Sequence, residues 1–220
     1  MKTMLYFIEL DEKHNNFAKY EKYVPCLSPE KQTQIYKFRF DIDKKLSLLA
    51  DLFVRYLACT TLNLYNDDLT FDKNDYGKPS LVGFPNFQYN VSHTRNAIAI
   101  GLSGESIGVD VEKTKPADLK IAERFFVKNE YLHILSRQEN QDTAFCKIWT
   151  KKEAYIKWIG KGLSLPLTSF DVTDTAFIGR LSTIELNSYI VSVCHKASFV
   201  LDLRRLTERQ ASEIFFEFAH

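Results

Sequence analysis

The sequence predicts an α+β fold made of two similar halves that meet near Leu102. Segments in which apolar and polar residues alternate, as they do in strands, occur at the start, in the middle and at the end of the chain. Blocks with apolar residues at helical spacing separate these segments. Strands and helices that come in separate runs favour α+β architecture. The 220 residues are enough to bury a sizeable core.

The first half, taken as residues 1–102, is predicted to contain an opening strand, helices and two further strands. Ser28 followed by Pro29 marks a helix start, because serine caps helix N termini and proline suits the first helical position. A long helix is predicted over Asp43–Leu62, and the segment 74–79 (NDYGKP) is typical of a turn. The strands of this half are predicted at Met4–Leu10, Gln88–Val91 and Ala97–Leu102.

The second half, taken as residues 103–220, is predicted to begin with a turn at 103–105 and a strand at Ile107–Glu112. Gly160 ends the last predicted helix, as glycine after a helix does. The residues beyond it are expected to alternate as strands. The helices are predicted at Leu119–Phe126, Asn129–Ser136 and Thr143–Ile159, and the clearest late strands at Tyr189–His195 and Phe199–Leu203.

Composition excludes several classes of protein. The 29 basic and 28 acidic residues leave a net charge of +1, which implies no bulk attraction to nucleic acid. The four cysteines form no CxxC pair, which argues against a zinc ribbon or a dithiol centre and suits free thiols in a reducing compartment. Acidic residues appear by Glu9, too early for a signal peptide, and no apolar run approaches the roughly 18 residues that span a bilayer. We therefore expect a cytoplasmic protein with no membrane partner.

The segment 107–112 (IGVDVE) is predicted to present two carboxylates on one face of a strand. Side chains alternate between the faces of a strand, so Asp110 and Glu112 share a face with Gly108. Neighbouring carboxylates repel each other, and magnesium, which takes few protein carboxylates, is a usual remedy. Gly108 leaves room there for a ligand. The same alternation is also typical of a half-exposed strand whose polar side faces water.

The segment 149–157 (WTKKEAYIK) is predicted to place Trp149, Glu153 and Lys157 on one face of a helix, because these residues are four apart. Glu153 is a candidate third carboxylate for a metal, and Lys157 is a candidate partner for a phosphate on that metal. The alternative is an ordinary ion pair on a helix surface, which contributes about 0.3–0.5 kcal/mol.

The segment 89–94 (YNVSHT) is predicted to be a strand that runs into polar residues. The hydroxyls of Ser92 and Thr94, the imidazole of His93 and the backbone N–H groups are all potential donors to a phosphate. A single histidine at the end of a strand is also often a structural hydrogen-bonding group.

In this order, the three segments resemble the signature set of the 4′-phosphopantetheinyl transferases. The length and the additional N-terminal half resemble the monomeric surfactin-type branch of that family. The resemblance covers about Ser28 to Val172. Further matching segments are 77–79 (GKP), 113–116 (KTKP), 124–126 (RFF) and 160–167 (GKGLSLPL).

The resemblance implies a pseudo-twofold pair of α+β halves, with coenzyme A in the cleft between them. It also assigns roles by position. It implies magnesium ligands at Asp110, Glu112 and Glu153. It implies coenzyme A contacts at Lys31, Gly77, Lys78, Pro79, Ser92 and His93, of which Lys31 and His93 match residues that bind the 3′-phosphate. Lys157 matches a lysine beside the reacting phosphate, and Glu130 matches a glutamate proposed as general base, with a metal-bound water as the other candidate.

The implied reaction is attack by a serine hydroxyl of an apo peptidyl or acyl carrier protein on the β-phosphate of coenzyme A, which releases 3′,5′-ADP. The implied context is nonribosomal peptide synthesis and antibiotic biosynthesis. Two residues depart from the family pattern, Gln34 where a second lysine is common and Leu46 where a basic residue is common. These departures affect the expected contacts with phosphate and leave the expected reaction unchanged.

Three other functions are alternatives to transfer onto a peptidyl carrier protein. A transferase dedicated to fatty-acid synthesis differs only in its carrier. A catalytically silent coenzyme A-binding protein on the same scaffold predicts loss of a metal ligand or of Lys157, and all of them are present. A metal-dependent nuclease built on the same carboxylates would need a basic track for nucleic acid, which the near-neutral charge balance does not indicate.

Overall fold

The computed structural model describes residues 2–12 and 16–218 and contains two α+β halves in a pseudo-twofold arrangement. The strands are β1 (Thr3–Glu9), β2 (Phe71–Lys73), β3 (Pro79–Leu81), β4 (Gln88–Thr94), β5 (Ala97–Ser103), β6 (Ile107–Lys113), β7 (Leu181–Leu186), β8 (Tyr189–His195) and β9 (Leu201–Thr207). The helices are α1 (Pro29–Lys37), α2 (Asp41–Leu62), α3 (Leu119–Phe125), α4 (Lys128–Leu135), α5 (Gln141–Ile159) and α6 (Glu208–Phe218).

The N-terminal half is a four-stranded sheet with the order β4-β5-β1-β9, covered by α2. Strand β1 runs antiparallel to β5, with Met4 opposite Leu102, and parallel to β9, with Thr3 opposite Leu201. Because α2 is apolar on the face toward the sheet, Leu52 and other leucines of this helix are fully buried. Burial of each such side chain contributes about 1.5–3 kcal/mol.

The C-terminal half is a three-stranded antiparallel sheet with the order β6-β8-β7, on which α5 packs. A separate apolar core joins the two sheets, because alternate residues of their strands face each other there. This core includes Phe7, Ala99, Val109 and Val191, each at most 1% exposed. The two halves are therefore packed against each other through an apolar interior, and buried polar contacts also cross their junction, such as Ser103 Oγ with His195 Nε2 at 3.0 Å.

Most predicted elements are present with small shifts at their ends. The Ser28 hydroxyl accepts the N–H of Lys31 and caps α1, as predicted. Two short strands, β2 and β3, flank the turn at 74–79 and were not predicted, because three-residue strands leave almost no periodic signal. The expectation that everything after Gly160 alternates as strands was wrong for the last element, which is the helix α6.

The last strand and helix pack on the N-terminal half. Strand β9 pairs with β1, and α6 packs against α2, although residues 103–220 had been assigned to the C-terminal half. A buried cluster of polar groups holds the start of α6 against the N-terminal half. The carboxylate of Glu208 accepts hydrogen bonds from Lys45 Nζ (2.9 Å), Tyr20 Oη (2.5 Å) and the backbone N–H of Asp11 (2.8 Å). The boundary between the halves is thus crossed twice by the chain.

All four cysteines are free thiols. Within the described ranges, no helix is both long and apolar enough to cross a bilayer.

Candidate active site

The candidate site lies where β4 of the N-terminal half runs beside β6 of the C-terminal half. Three side chains of β4, spaced by two residues, reach across to β6. Asn90 Oδ1 accepts the backbone N–H of Val109 (2.8 Å). The hydroxyls of the next two donate to carboxylates of β6, Ser92 to Asp110 (2.8 Å) and Thr94 to Glu112 (3.2 Å). This junction, which we call the β4–β6 seam, sets the position of both carboxylates.

Asp110 is the central residue of the seam and is 4% exposed. Its Oδ1 atom accepts hydrogen bonds from Ser92 and from Lys157 Nζ, the latter at 2.7 Å. Its Oδ2 atom is buried and has no hydrogen-bond partner among the described residues. A buried carboxylate oxygen without a donor costs free energy, and such groups are retained mainly where they serve a ligand or a reaction.

Glu112 and Glu153 are charged neighbours of Asp110. Burial and then the charge of Asp110 raise the pKa of Glu112, and the same two causes, in the same order, raise the pKa of Glu153. The structure therefore brings the three carboxylates that were predicted as metal ligands close enough together that the charge of Asp110 disfavours ionisation of both glutamates. Lys157 acts in the opposite direction on both glutamates.

The chemical type of the oxygen donors at this site suits magnesium, although the side chains alone do not form a complete set of metal ligands. Over residues 2–12 and 16–218, no group of three or more His, Cys, Asp and Glu side chains is arranged to hold a metal ion. Magnesium, however, is usually held by one or two carboxylates together with substrate phosphates and waters. The unpartnered Asp110 Oδ2 and the adjacent Glu112 are hard oxygen donors of the right kind, so the residues fit this ion.

Helix α5 reaches the seam because Gly108 lets it approach β6 closely. A Cβ atom at Gly108 would lie 2.0 Å from the carbonyl oxygen of Ala154 and 2.3 Å from the backbone nitrogen of Trp158. The close approach places Glu153 and Lys157, from successive turns of α5, beside Asp110. Gly108 thus makes room for the protein's own helix α5 and not, as predicted, for a ligand.

His93 and Lys31 lie on the N-terminal side of the same region. Desolvation and then the charge of Lys157 lower the pKa of His93, Lys31 acts in the same direction, and the carboxylates of Asp43 and Asp51 act in the opposite direction. The His93 side chain keeps exposed surface, although the protein packed around the ring desolvates it in part, and Lys31 Nζ pairs with a carboxylate oxygen of Asp51 at 2.9 Å. The structure therefore gathers three cationic or potentially cationic side chains, from α1, β4 and α5, in one neighbourhood.

The turn 77–79 is close to the C-terminal end of α5. Gly77 has φ +85°, a conformation that favours glycine, and lies between β2 and β3. The ammonium group of Lys78 donates to three protein oxygens, Ser106 Oγ, Trp158 O and Ile107 O. The space beside Gly77 is open, but the N–H groups of Gly77 and Lys78 donate to the carbonyl oxygen and to Oδ1 of Asn74, and the Lys78 side chain is engaged within the protein.

Glu130, expected as a general base, is sealed inside the C-terminal half. It is 0% exposed, forms an ion pair with Lys152 Nζ at 2.7 Å, and accepts the N–H groups of Val127 and Val172. A base must come within about 2.6–3.2 Å of the hydroxyl it deprotonates. A buried carboxylate with both oxygens bonded does not offer that approach, so this conformation gives the general-base role no support.

Sequence reasoning missed Asn90 and Lys152, and it pointed to the Thr94 hydroxyl only as a possible donor to a phosphate. Asn90 and Thr94 share the period-two face of Ser92, so the alternation that places Asp110 beside Glu112 would also have pointed to their contacts with β6. Lys152 is a lysine that is 0% exposed, and its ion pair with Glu130 has no local signal in the sequence.

Comparisons with protein families match both halves of the chain. A family model described as "4'-phosphopantetheinyl transferase superfamily" matches residues 106–203. A second model, described as "4'-phosphopantetheinyl transferase, N-terminal", matches residues 14–104.

Several curated proteins are similar in sequence. The chain is 39% identical over 153 residues to 4'-phosphopantetheinyl transferase Sfp of Bacillus subtilis (strain 168), an alignment that covers 69% of this chain and 68% of that protein. It is 37% identical over 162 residues to 4'-phosphopantetheinyl transferase psf-1 of Bacillus pumilus, with 73% and 69% covered. It is 32% identical over 164 residues to L-aminoadipate-semialdehyde dehydrogenase-phosphopantetheinyl transferase of Mus musculus, with 67% and 53% covered.

Proposed function

Since the chain belongs to the 4′-phosphopantetheinyl transferase superfamily, we propose how its own residues carry out the transfer. The activity moves the phosphopantetheine arm of coenzyme A onto a serine of an apo carrier protein and releases 3′,5′-ADP. The observation that carries the assignment of the site is the β4–β6 seam, where the buried Asp110 meets Lys157 and leaves one oxygen unpartnered. All the groups invoked come from one chain.

We propose that magnesium is held by Asp110, Glu112 and Glu153. The support is the open Oδ2 of Asp110 and the raised pKa of both glutamates, which comes first from burial and then from the charge of Asp110. A divalent cation at that point would offset the repulsion between the carboxylates. When bound, the ion would supply positive charge to the pyrophosphate of coenzyme A. Ser92 and Thr94 orient the carboxylates by donating to their other oxygens.

Lys157 is the proposed cation for the reacting phosphate. Its side chain is 28% exposed, so the ammonium group is reachable from the cleft while it is still anchored on Asp110. Transfer of a phosphoryl group asks the protein mainly for positioning and charge stabilisation, and an oriented ammonium provides both. Anchoring by Asp110 and Ser92 fixes its direction before the substrate arrives.

The nucleotide part of coenzyme A is proposed to lie along the turn Gly77–Pro79 and the end of β4, with its 3′-phosphate at His93 and Lys31. This would put the phosphate near positive side chains from α1, β4 and α5. Hydrogen bonds to charged groups contribute about 1.5–3 kcal/mol each, so these contacts are expected to govern affinity for coenzyme A.

We expect His93→Ala to raise the KM for coenzyme A by about tenfold, which corresponds to the loss of one such hydrogen bond. Initial rates should be measured with coenzyme A and with 3′-dephospho-coenzyme A. If His93 binds the 3′-phosphate, the variant loses most of its preference for coenzyme A. A preference equal to that of the unchanged protein would remove His93 from the phosphate site. His133 is an exposed histidine of α4, and His133→Ala serves as the control. It should change neither the KM for coenzyme A nor the preference for coenzyme A over 3′-dephospho-coenzyme A.

The experiment that tests the function is incubation with an apo peptidyl carrier protein, coenzyme A and magnesium, followed by intact-mass spectrometry of the carrier. The expected result is a gain of one phosphopantetheine that is lost with a chelator and absent when the carrier serine is replaced by alanine. If the protein binds coenzyme A but modifies none of several unrelated carriers, it is instead a catalytically silent coenzyme A-binding protein.

We also propose that the protein acts as a monomer in the cytoplasm, with no nucleic acid or membrane as partner. The support is that the seam is assembled within one chain and that basic and acidic residues nearly balance. Light scattering after gel filtration tests the monomer, and a mass of two chains at working concentration would contradict it.

A further inference from the structure

The ammonium group of Lys78 joins the two structural elements that carry the site. It donates to Ser106 Oγ at 2.7 Å and to the carbonyl oxygen of Ile107 at 3.2 Å, at the beginning of β6. It also donates to the carbonyl oxygen of Trp158 at 2.8 Å, in the last turn of α5. The hydroxyl of Ser106 completes the arrangement by donating to the same Trp158 oxygen (3.0 Å). One lysine of the N-terminal half therefore holds two elements of the C-terminal half.

A second contact from the same hairpin reinforces this attachment. Asn74 Nδ2 donates to the carbonyl oxygen of Gly160 at 2.9 Å, immediately after α5. Gly160 has φ +74°, and a Cβ atom there would lie 2.7 Å from Cδ of Lys78. The missing side chain thus lets the lysine stem cross the end of the helix. Together, Asn74 and Lys78 satisfy carbonyl groups that the helix leaves unpaired at its C terminus.

The attachment lies next to the catalytic pair in the chain. Trp158 follows Lys157, and Ile107 is three residues before Asp110. The carbonyl oxygens that Lys78 contacts are therefore on the same two elements, α5 and β6, as the 2.7 Å ion pair between Lys157 and Asp110. Those elements touch closely at Gly108. A shift of α5 along β6 would therefore change the direction and distance of Lys157 from Asp110.

We propose that Lys78 is a positioning residue for the transfer, which acts by fixing α5 on β6 and not by binding the nucleotide through its ammonium group. This inference rests on the function proposed above and differs from the role expected for Lys78 from the family resemblance. Three oxygens converge on the ammonium group, which matches its three donors and leaves none for a phosphate.

The charge state of Lys78 is compatible with this role. Burial lowers the pKa of its side chain to about 8, so at pH 7 most molecules still carry the ammonium form. That form can donate to all three oxygens at once, whereas the neutral amine has one proton fewer.

The test is to replace Lys78 by methionine, which keeps the length of the stem and removes the donors. We expect kcat to fall by about 10- to 100-fold, since small misplacements of catalytic groups have effects of this size. The KM for coenzyme A should change by less than about threefold, because the nucleotide contacts remain. Lys73→Met removes an exposed lysine of the same hairpin and should leave both constants unchanged.

Two outcomes would overturn the proposal. A rise in KM with unchanged kcat would show that Lys78 grips the nucleotide, and a lower melting temperature with unchanged kcat would show that it only stabilises the fold. If Lys78→Met fails to fold, Ser106→Ala can be used instead, because it removes one of the three oxygens that accept from the Lys78 ammonium group. It is expected to lower kcat by a smaller factor than Lys78→Met. An unchanged kcat in a folded Ser106→Ala protein would then contradict the proposal. Failure of the transferase assignment itself would be recognised separately, by absence of transfer in the unchanged protein.

Discussion

We expect Asp110→Asn to lower the rate of transfer by about a thousandfold, equivalent to roughly 4 kcal/mol of transition-state stabilisation. Asparagine has nearly the same shape and can still accept from Ser92 and Lys157 at Oδ1. It lacks the negative charge and replaces the unpartnered Oδ2 by an NH2 group, which cannot bind a cation. The loss should therefore fall on chemistry and on the magnesium requirement.

The stability of Asp110→Asn should differ little from that of the unchanged protein, by less than about 1.5 kcal/mol, because asparagine can still accept from Ser92 and the Lys157 side chain that loses its counter-charge is 28% exposed and can be hydrated. Initial rates at saturating coenzyme A, measured over a range of magnesium concentrations, check the first part, and urea unfolding checks the second. Asp72→Asn, an exposed aspartate on β2, is the matched control. Turnover within threefold of normal would remove Asp110 from the site.

We expect Glu208→Gln to lower the free energy of unfolding at pH 7 by about 3 kcal/mol, the size seen when one partner of a buried ion pair is removed. Glu208 lies against Lys45, which is 0% exposed, and receives hydrogen bonds from Tyr20 and from the Asp11 N–H. Glutamine preserves the shape and an acceptor but takes the negative charge away from the lysine. Urea unfolding gives the measurement.

The effect of Glu208→Gln should depend on pH. Burial alone would raise the pKa of Glu208, but the bonds from Lys45, Tyr20 and Asp11 outweigh it and hold the pKa below its ordinary value. Because the folded pKa is lowered, the carboxylate stabilises the fold fully above its unfolded value of about 4.3 and loses this contribution as pH falls through the folded pKa. The gap between the two proteins should therefore be constant near neutrality and shrink in acid.

Glu213→Gln provides the control for this prediction. Glu213 is on the same helix in an exposed i, i+4 pair with Arg209, and such pairs contribute about 0.3–0.5 kcal/mol. Equal losses in the two variants, or a gap that widens in acid, would contradict the role given to Glu208.

The parts of the site that depend on local periodicity could be predicted from the sequence. Alternation along β6 placed Asp110 and Glu112 on one face, and the four-residue spacing in α5 placed Glu153 with Lys157. The helix start at Ser28 followed from capping chemistry. In each case the neighbours that decide the geometry are within a few residues along the chain.

The remaining features depend on contacts between distant segments. Nothing near Glu130 in the sequence indicates that Lys152 will meet it in the interior, and the expectation of a general base there came only from the family resemblance. The ammonium group of Lys78 is engaged by residues from a different half. The return of β9 and α6 to the N-terminal sheet depends on a parallel pairing with β1 that no local pattern encodes.

That return also determines the order in which the molecule is completed during synthesis. Strand β1 leaves the ribosome well before its neighbour β9, so one edge of β1 stays without this partner while the residues between the two strands are made. The sheet of β6, β7 and β8 is complete in the nascent chain before that edge is covered. An uncovered strand edge pairs readily with other chains, so the interval before β9 arrives is the period in which chaperone protection has most effect. Loop closure between such remote segments is entropically slow, and we expect β9 docking to limit the rate of folding.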